Sequence, residues 1–383
     1  MKFELKNICD LINEKISANE LINNNLASTY VSTESMLPNK RGITKPSSIP
    51  SKGTTTAYKK DDVLVSNIRP YFKKIWSANY DGVCSNDVLV FRAKNTADAN
   101  FLYYVLANDD FFVYSMATSK GTKMPRGDKA SIMKYEVESF DLNTQRKIAS
   151  ILKPIDKKIE LNNAINNNLE QQAKAIFSNE FLTLETLPDG WKQASLIDIA
   201  DYLNGLAMQK YRPTVDETGI PVLKIKELRQ GCCDDNSELC SPSIKSEYII
   251  HDGDVIFSWS GSLLVDFWCG GICGLNQHLF KVTSNKYNKW FYYAWTKHHL
   301  DRFIAVAADK ATTMGHIKRD ELSKAEVLIP NEADYKRIET LLQPIYDLII
   351  ANRIENKKLA ETRDTLLPKL MTGEIDISEV DYE

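Results

Sequence analysis

Two groups of hydrogen-bonding and basic side chains recur at matched places in the chain. The first comprises Ser66, Asn67 and Arg69, just after an apolar run, with Lys120, Thr122, Lys123 and Arg126 in the loop TSKGTKMPRG. The second comprises Trp259, Ser260 and Ser262 after a similar run, with Lys310, Thr312, Thr313, His316 and Lys318 further on. Lys224, Lys226 and Arg229 are added to it. Amides, hydroxyls and cations on loops are the groups that hold phosphate oxygens and read the edges of bases. Gly121 and Gly127 are expected to let the first loop's backbone come close to a phosphate.

Groups for bond-making chemistry are not spaced for it. The five histidines show no H-E-x-x-H or similar ligand spacing. No G-x₄-G-K-[ST] phosphate loop and no [DNS]-P-P-[YFW] motif for amino-methyl transfer is found. Asp61, Asp62, Asp252 and Asp254 stand beside strand-like runs, where carboxylates end turns. Cys232, Cys233 and Cys240 lie near one another, as do Cys269 and Cys273, but not at zinc-binding spacing. They read as reduced core thiols. The expectation is a chain with no catalytic residue, no metal and no cofactor.

A length of 383 residues leaves room for two or three domains. The opening MKFELKNICDLINEK has polar residues where a signal peptide needs an apolar stretch. No run approaches the ~20 apolar residues of a membrane span, so the cytoplasm is the expected location. The net charge of −3 argues against a lone, tight nucleic-acid binder. Charge is uneven, however. Residues 40–74 hold nine Lys/Arg (Lys40, Arg41, Lys45, Lys52, Lys59, Lys60, Arg69, Lys73, Lys74) against two acids, while the last ten residues hold five acids and no base.

The elements that must position these residues are written twice. QRKIASILKPIDKKIELNNAINNNLE from Gln145 lies over YKRIETLLQPIYDLIIANRIENKKLA from Tyr335 without a gap, an offset of 190. Ile148, Leu152, Pro154, Ile155, Ile159, Asn162, Asn166 and Leu169 fall on Ile338, Leu342, Pro344, Ile345, Ile349, Asn352, Asn356 and Leu359. Upstream, Asp62-Val63-Leu64 matches Asp254-Val255-Ile256, and Asn86 matches Asn276. Each half is therefore a globular part followed by a long helix.

Both helices carry a 4-3-4-3 seam. The first continues through Ala173 and Ile176, the second through Arg363 and Leu366. A 3.5-residue period keeps one stripe facing a partner helix, and each seam is the obvious partner of the other. In an antiparallel pair Asn162 meets Asn356 and Asn166 meets Asn352, which would fix the register. The prolines are expected to kink each helix or to start its main straight part. Asp62–Val65, Val88–Phe91, Asp254–Phe257 and His278–Val282 read as short buried strands, and 100–116 and 288–306 as aromatic-rich helices. The fold class is α/β (α+β): two globular recognition domains separated by two long antiparallel coiled-coil helices in a pseudo-two-fold repeat. The segments are 1–142, a spacer helix 143–180, 181–330, a spacer helix 331–373 and an acidic tail 374–383, the second half opening near LPDGW.

Straight stretches of about 24 and 23 residues span roughly 35 Å at ~1.5 Å per residue, close to one turn of B-DNA. Two unlike domains held that far apart would read two unlike half-sites on one face of a duplex.

At this point the sequence resembles the specificity subunits of type I restriction-modification systems. Two variable domains each followed by a helix with I-x₃-L-x-P-I form that family's pattern. LPDGWKQASLIDIA from Leu187 looks like the opening of its second recognition domain, and LLPKLMTGEIDI from Leu366 like its usual ending. YVSTESMLPNKRGI from Tyr30, IPVLKIKEL from Ile220 and TTMGHIKRDEL from Thr312 are similar to stretches common in those domains. The N-terminus lacks an LPxGW-like opening. The resemblance covers nearly the whole chain and implies a non-catalytic subunit that binds double-stranded DNA and joins two modification (methyltransferase) subunits. It implies that S-adenosylmethionine, ATP and Mg belong to partner subunits, and that restriction subunits add translocation and cleavage. Two other readings remain: the specificity subunit of a type II-like methylase-nuclease, and a coiled-coil interaction scaffold.

Overall fold

The computed structural model describes residues 2–23, 26–234, 236–309 and 319–381. It divides into two units, Met1–Lys157 with Ala360–Glu383, and Lys158–Leu359. In the first unit an antiparallel sheet runs in the order Cys9–Ile12, Val88–Ala93, Val63–Ser66, Ile75–Ser77. Side chains alternate across a strand. Val63, Val65, Leu89 and Phe91 therefore enter one core with helices Ala99–Ala107 and Asp109–Ala117. Leu64, Val88 and Val90 enter another, shared with Val31, Tyr58 and Cys84 of a second sheet. In that sheet Gly82–Cys84 pairs parallel with Tyr30–Val31 and antiparallel with Thr54–Tyr58.

The second unit repeats the plan. Its sheet order is Asp201–Asn204, Leu279–Thr283, Val255–Ser258, Leu264–Phe267. Val255, Phe257, Phe280 and Val282 face one core, Ile256 and Leu279 the other. Cys273–Leu275 again pairs parallel with one neighbour, Ile220–Leu223, and antiparallel with the other, Ile249–Ile250. The edge strand differs. Lys15–Ser17 extends the antiparallel neighbour in the first unit, Leu239–Cys240 the parallel neighbour in the second.

The aspartates matched between the two halves have a structural job. Buried Asp62 takes a bidentate pair from Arg92 (2.7 and 2.6 Å) and caps the turn through the Lys59 N–H. Asp254 pairs with Lys281 at 2.9 Å and caps its turn through the His251 N–H. All seven cysteines are free, and Cys233 and Cys273 bring their sulfurs to 3.4 Å.

One expectation is corrected. The aromatic segments 100–116 and 288–306 are each two helices. The first breaks at Asn108, whose side chain accepts from the Asp110 N–H, and the second at His299, which bonds the Glu326 carbonyl. Pro154 lies inside a helix that is continuous over Leu142–Phe177. In the acidic tail Ile375 and Ile377 pack on the first unit's core, and Lys147 donates to the Ser378 carbonyl.

The C-terminal helix spans Glu332–Thr372. Within the second unit it runs antiparallel to the central helix. Asn162 donates to Asn356 and Asn352 to Asn166, both at 2.9 Å. Arg353 ties Glu170 of the central helix (2.8 Å) to Asp266 of the sheet (2.6 Å). Within the first unit Ile148 and Leu152 share a core with Leu367, Leu370 and Met371. There the seam position Arg363 is buried and donates to Asp156 at 2.7 Å, which also accepts from Tyr104 at 2.8 Å.

Asn166→Leu strands a buried amide and is expected to cost about 1–3 kcal/mol in urea unfolding. Adding Asn352→Leu should recover most of it, and two additive losses would show that the pair does not interact. Asp156→Ala leaves Arg363 buried beside only Asp364, and should destabilise the first unit by about 3 kcal/mol. A loss under 0.5 kcal/mol would mean that the ion pair contributes nothing.

Candidate nucleic-acid interface

In the first unit the two predicted loops meet. The Asn67 N–H donates to Asp87 at 2.8 Å, the Gly127 N–H to the Asn67 carbonyl at 3.2 Å, and the Arg69 N–H to Pro125 at 2.8 Å. Lys120 and Arg126 bond each other's backbone in both directions, which closes the Lys120–Arg126 hairpin. A third loop joins them, as the Asn39 and Lys40 N–H groups donate to Phe72 and Lys73. Lys120, Thr122, Lys123 and Arg126 are exposed, while Ser66 is buried and turns its hydroxyl to the Ile68 carbonyl. The role expected for Gly127 is corrected. It is buried, and a Cβ there would lie 2.7–2.9 Å from Ile132, Asn67 and Ser115, so it serves packing between loops. Gly121, exposed with φ +91°, is the glycine free to face a ligand.

Carboxylates pair with Lys120, Arg126, Lys224 and Lys226 of the predicted loops, and with Lys40 and Lys73 of the charge run. Lys40 and Lys73 both pair with Asp109 (2.9 and 2.8 Å), which hold its carboxyl below the usual range although burial pushes the other way. Lys74 donates to the Thr33 carbonyl. Lys120 pairs with Asp128 and holds its carboxyl down to about 2. Arg126 pairs with Asp87 at 3.2 Å. In the second unit Lys224 pairs with Glu238, and Lys226 with Asp234 at 2.9 Å. Among the described loop cations predicted to contact DNA, Arg69, Lys123 and Arg229 are without an ion pair.

The second unit gathers a different set. Trp259 donates its indole N–H to Asn204 at 3.1 Å and packs on His278 and Phe280. Ser260, buried, bonds the His278 ring at 3.1 Å, and Ser262 is exposed. Lys310, Thr312, Thr313, His316 and Lys318 lie outside the described residues.

Sequence reasoning passed over Asn204, Gln277 and His278 beside Trp259, and Asp87, Tyr71 and Phe72 beside Arg69. The match of Asn86 with Asn276 was the available signal, because the residues that follow each asparagine reach the loop cluster. Tyr71 and Phe72 are exposed, with ring centroids 4.7 Å apart.

Comparison with known proteins agrees with the doubled plan. The family model for the type I restriction modification DNA specificity domain matches twice, over residues 1–171 and 188–361. The chain is 25% identical over 312 residues to the MjaIX specificity subunit of Methanocaldococcus jannaschii, covering 75% of this chain and 71% of the relative. It is 22% identical over 401 residues to the HindI specificity subunit of Haemophilus influenzae, covering 83% and 87%. The fold is similar to the S subunit of a type I restriction-modification system from M. genitalium, with TM-score 0.56, 15% identity and coverage of 97% and 96%. The chain belongs to the family of type I restriction-modification DNA specificity subunits.

Proposed function

We propose that the chain reads a bipartite, asymmetric DNA target, one half-site per globular part, and docks modification subunits that methylate it. The observation that carries this reading is one sheet frame built twice beneath unlike loops. Asn67, Arg69 and Lys123 stand over the first copy, and Trp259, Ser260 and His278 over the second. An identical frame supplies equivalent presentation, and different side chains at the tips select different bases.

Methyl transfer, its S-adenosylmethionine, and any ATP and Mg are assigned to partner subunits, with no catalysis by this chain. The docking surface is placed on the long helices. In the second unit Leu161 and Ile165 of the central helix, and Leu341 and Leu348 of the C-terminal helix, are exposed at helical spacing. Apolar positions of this kind on charged helices fit a helical partner. No helix among the described residues is long and apolar enough to cross a membrane, and the assembly is placed in the cytoplasm with the host DNA.

Single-molecule mapping of methylated adenines in the host genome, with and without this gene, tests the reading. A two-part motif with an unread spacer should vanish on deletion, and an unchanged methylation pattern would overturn the proposal. Lys123→Ala should weaken DNA binding by the assembled complex and flatten the log affinity–log salt slope by about one. An unchanged slope removes that loop from the phosphate contacts. Leu161→Glu with Ile165→Glu should abolish co-purification with the modification subunits while far-ultraviolet circular dichroism stays at the wild-type value. Retained assembly would move the docking surface elsewhere.

A further inference from the structure

The two reading turns open alike, although the first link spans residues 67–74 and the second 259–263. Ser66 and Ser258 each end the equivalent strand. The Ser66 hydroxyl lies 3.2 Å from the Ile68 carbonyl, and the Ser258 hydroxyl lies 3.3 Å from the Ser260 carbonyl and 2.9 Å from that of Ser262. The residue after that carbonyl is left-handed in both copies: Arg69 at φ +51° and Gly261 at φ +65°. Glycine adopts this conformation without penalty, and a side chain adopts it at a cost in stability. The second copy shows that the turn closes with glycine. In the first copy the same turn carries the longest cationic side chain.

Nothing within the fold repays that arginine through its side chain. Its Nε is buried without a hydrogen-bond partner, and it has no ion pair among the described residues. The Asn67 Oδ1, two residues earlier, is likewise buried and unpartnered. An orphaned donor and an orphaned acceptor on one turn are rare in folded proteins. Arg126 and Lys120 nearby are held by Asp87 and Asp128, and Lys73 by Asp109. Exposed Tyr71 and Phe72 follow directly, offering apolar surface to whatever the arginine meets.

We propose that Arg69 is a specificity-determining residue of the first recognition domain, its guanidinium reading a guanine edge in one half-site. The left-handed backbone is the means of presenting it. A planar fork with no internal partner suits the O6 and N7 of guanine, which together accept two parallel hydrogen bonds. This rests on the DNA-reading function proposed above.

The test uses the complete complex with modification subunits and the target found by methylation mapping. Arg69→Gly installs the second copy's own solution, so folding should survive: the melting temperature should stay within about 2 °C, relief of the backbone offsetting glycine's entropy. Fluorescence anisotropy should show affinity for the target falling about 10- to 100-fold. Discrimination among base substitutions should relax in one half-site and stay unchanged in the other. Arg69→Lys, a point charge without the fork, should restore affinity only in part and not the discrimination. Unchanged affinity, an equal loss for every half-site sequence, full rescue by lysine, or a fall of several degrees in melting temperature would each overturn the proposal. Failure of the wild-type complex to prefer any two-part target would instead sink the DNA-reading function itself.

Discussion

Inside the helix seam the Asn352 amide has no water to turn to, and its acceptor, Asn166, stands 186 residues earlier in the chain. A buried amide left unpaired costs more than the hydrogen bond itself contributes. The seam must therefore form with one alignment, since a slip by a turn would set asparagine against isoleucine. The two cores depend on that alignment. Ile338, Leu342 and Ile349 close the core of the second unit, and Leu367, Leu370 and Met371 that of the first. Because one C-terminal helix supplies both sets, its register decides whether each globular part is complete.

The seam was legible because its signal is periodic. Isoleucine and leucine at 4-3 spacing, copied at an offset of 190, leave few other arrangements. The sheets were legible for the same reason, since Val63–Val65 and Val255–Phe257 are short apolar runs bounded by turns. What the sequence did not disclose are pairings decided by tertiary placement. Arg363 sits on the seam in the sequence, where it looks like a break in the pattern. Its partner Asp156 lies one position after the first seam's Ile155, and only the packing of the helices brings them to 2.7 Å. Nor does periodicity reveal that Asn108 interrupts an aromatic helix by capping the next one.

The candidate site was less legible than the frame. Loop composition singled out two loops that meet in the first unit, but it did not show which partners their residues have there. Gly127 packs rather than yields to a ligand, and Lys40, Lys73, Lys120, Lys224 and Lys226 are neutralised in place. A charge count along the sequence cannot see an aspartate supplied by a distant element, as Asp109 is for Lys40 and Lys73.

That neutralisation bears on how the chain reads DNA. Phosphate contacts give affinity without sequence information, and a surface rich in unpaired cations would bind every duplex. Pairing Lys40, Lys73, Lys120, Lys224 and Lys226 with Asp109, Asp128, Asp234 and Glu238, and Arg126 with Asp87, removes part of that indiscriminate attraction. A chain of net charge −3 is suited to discrimination rather than to a tight hold on any duplex. The unlike loops over like frames follow from the same logic: the frame can be kept, and only the handful of unpaired groups at each tip needs to change for the target to change.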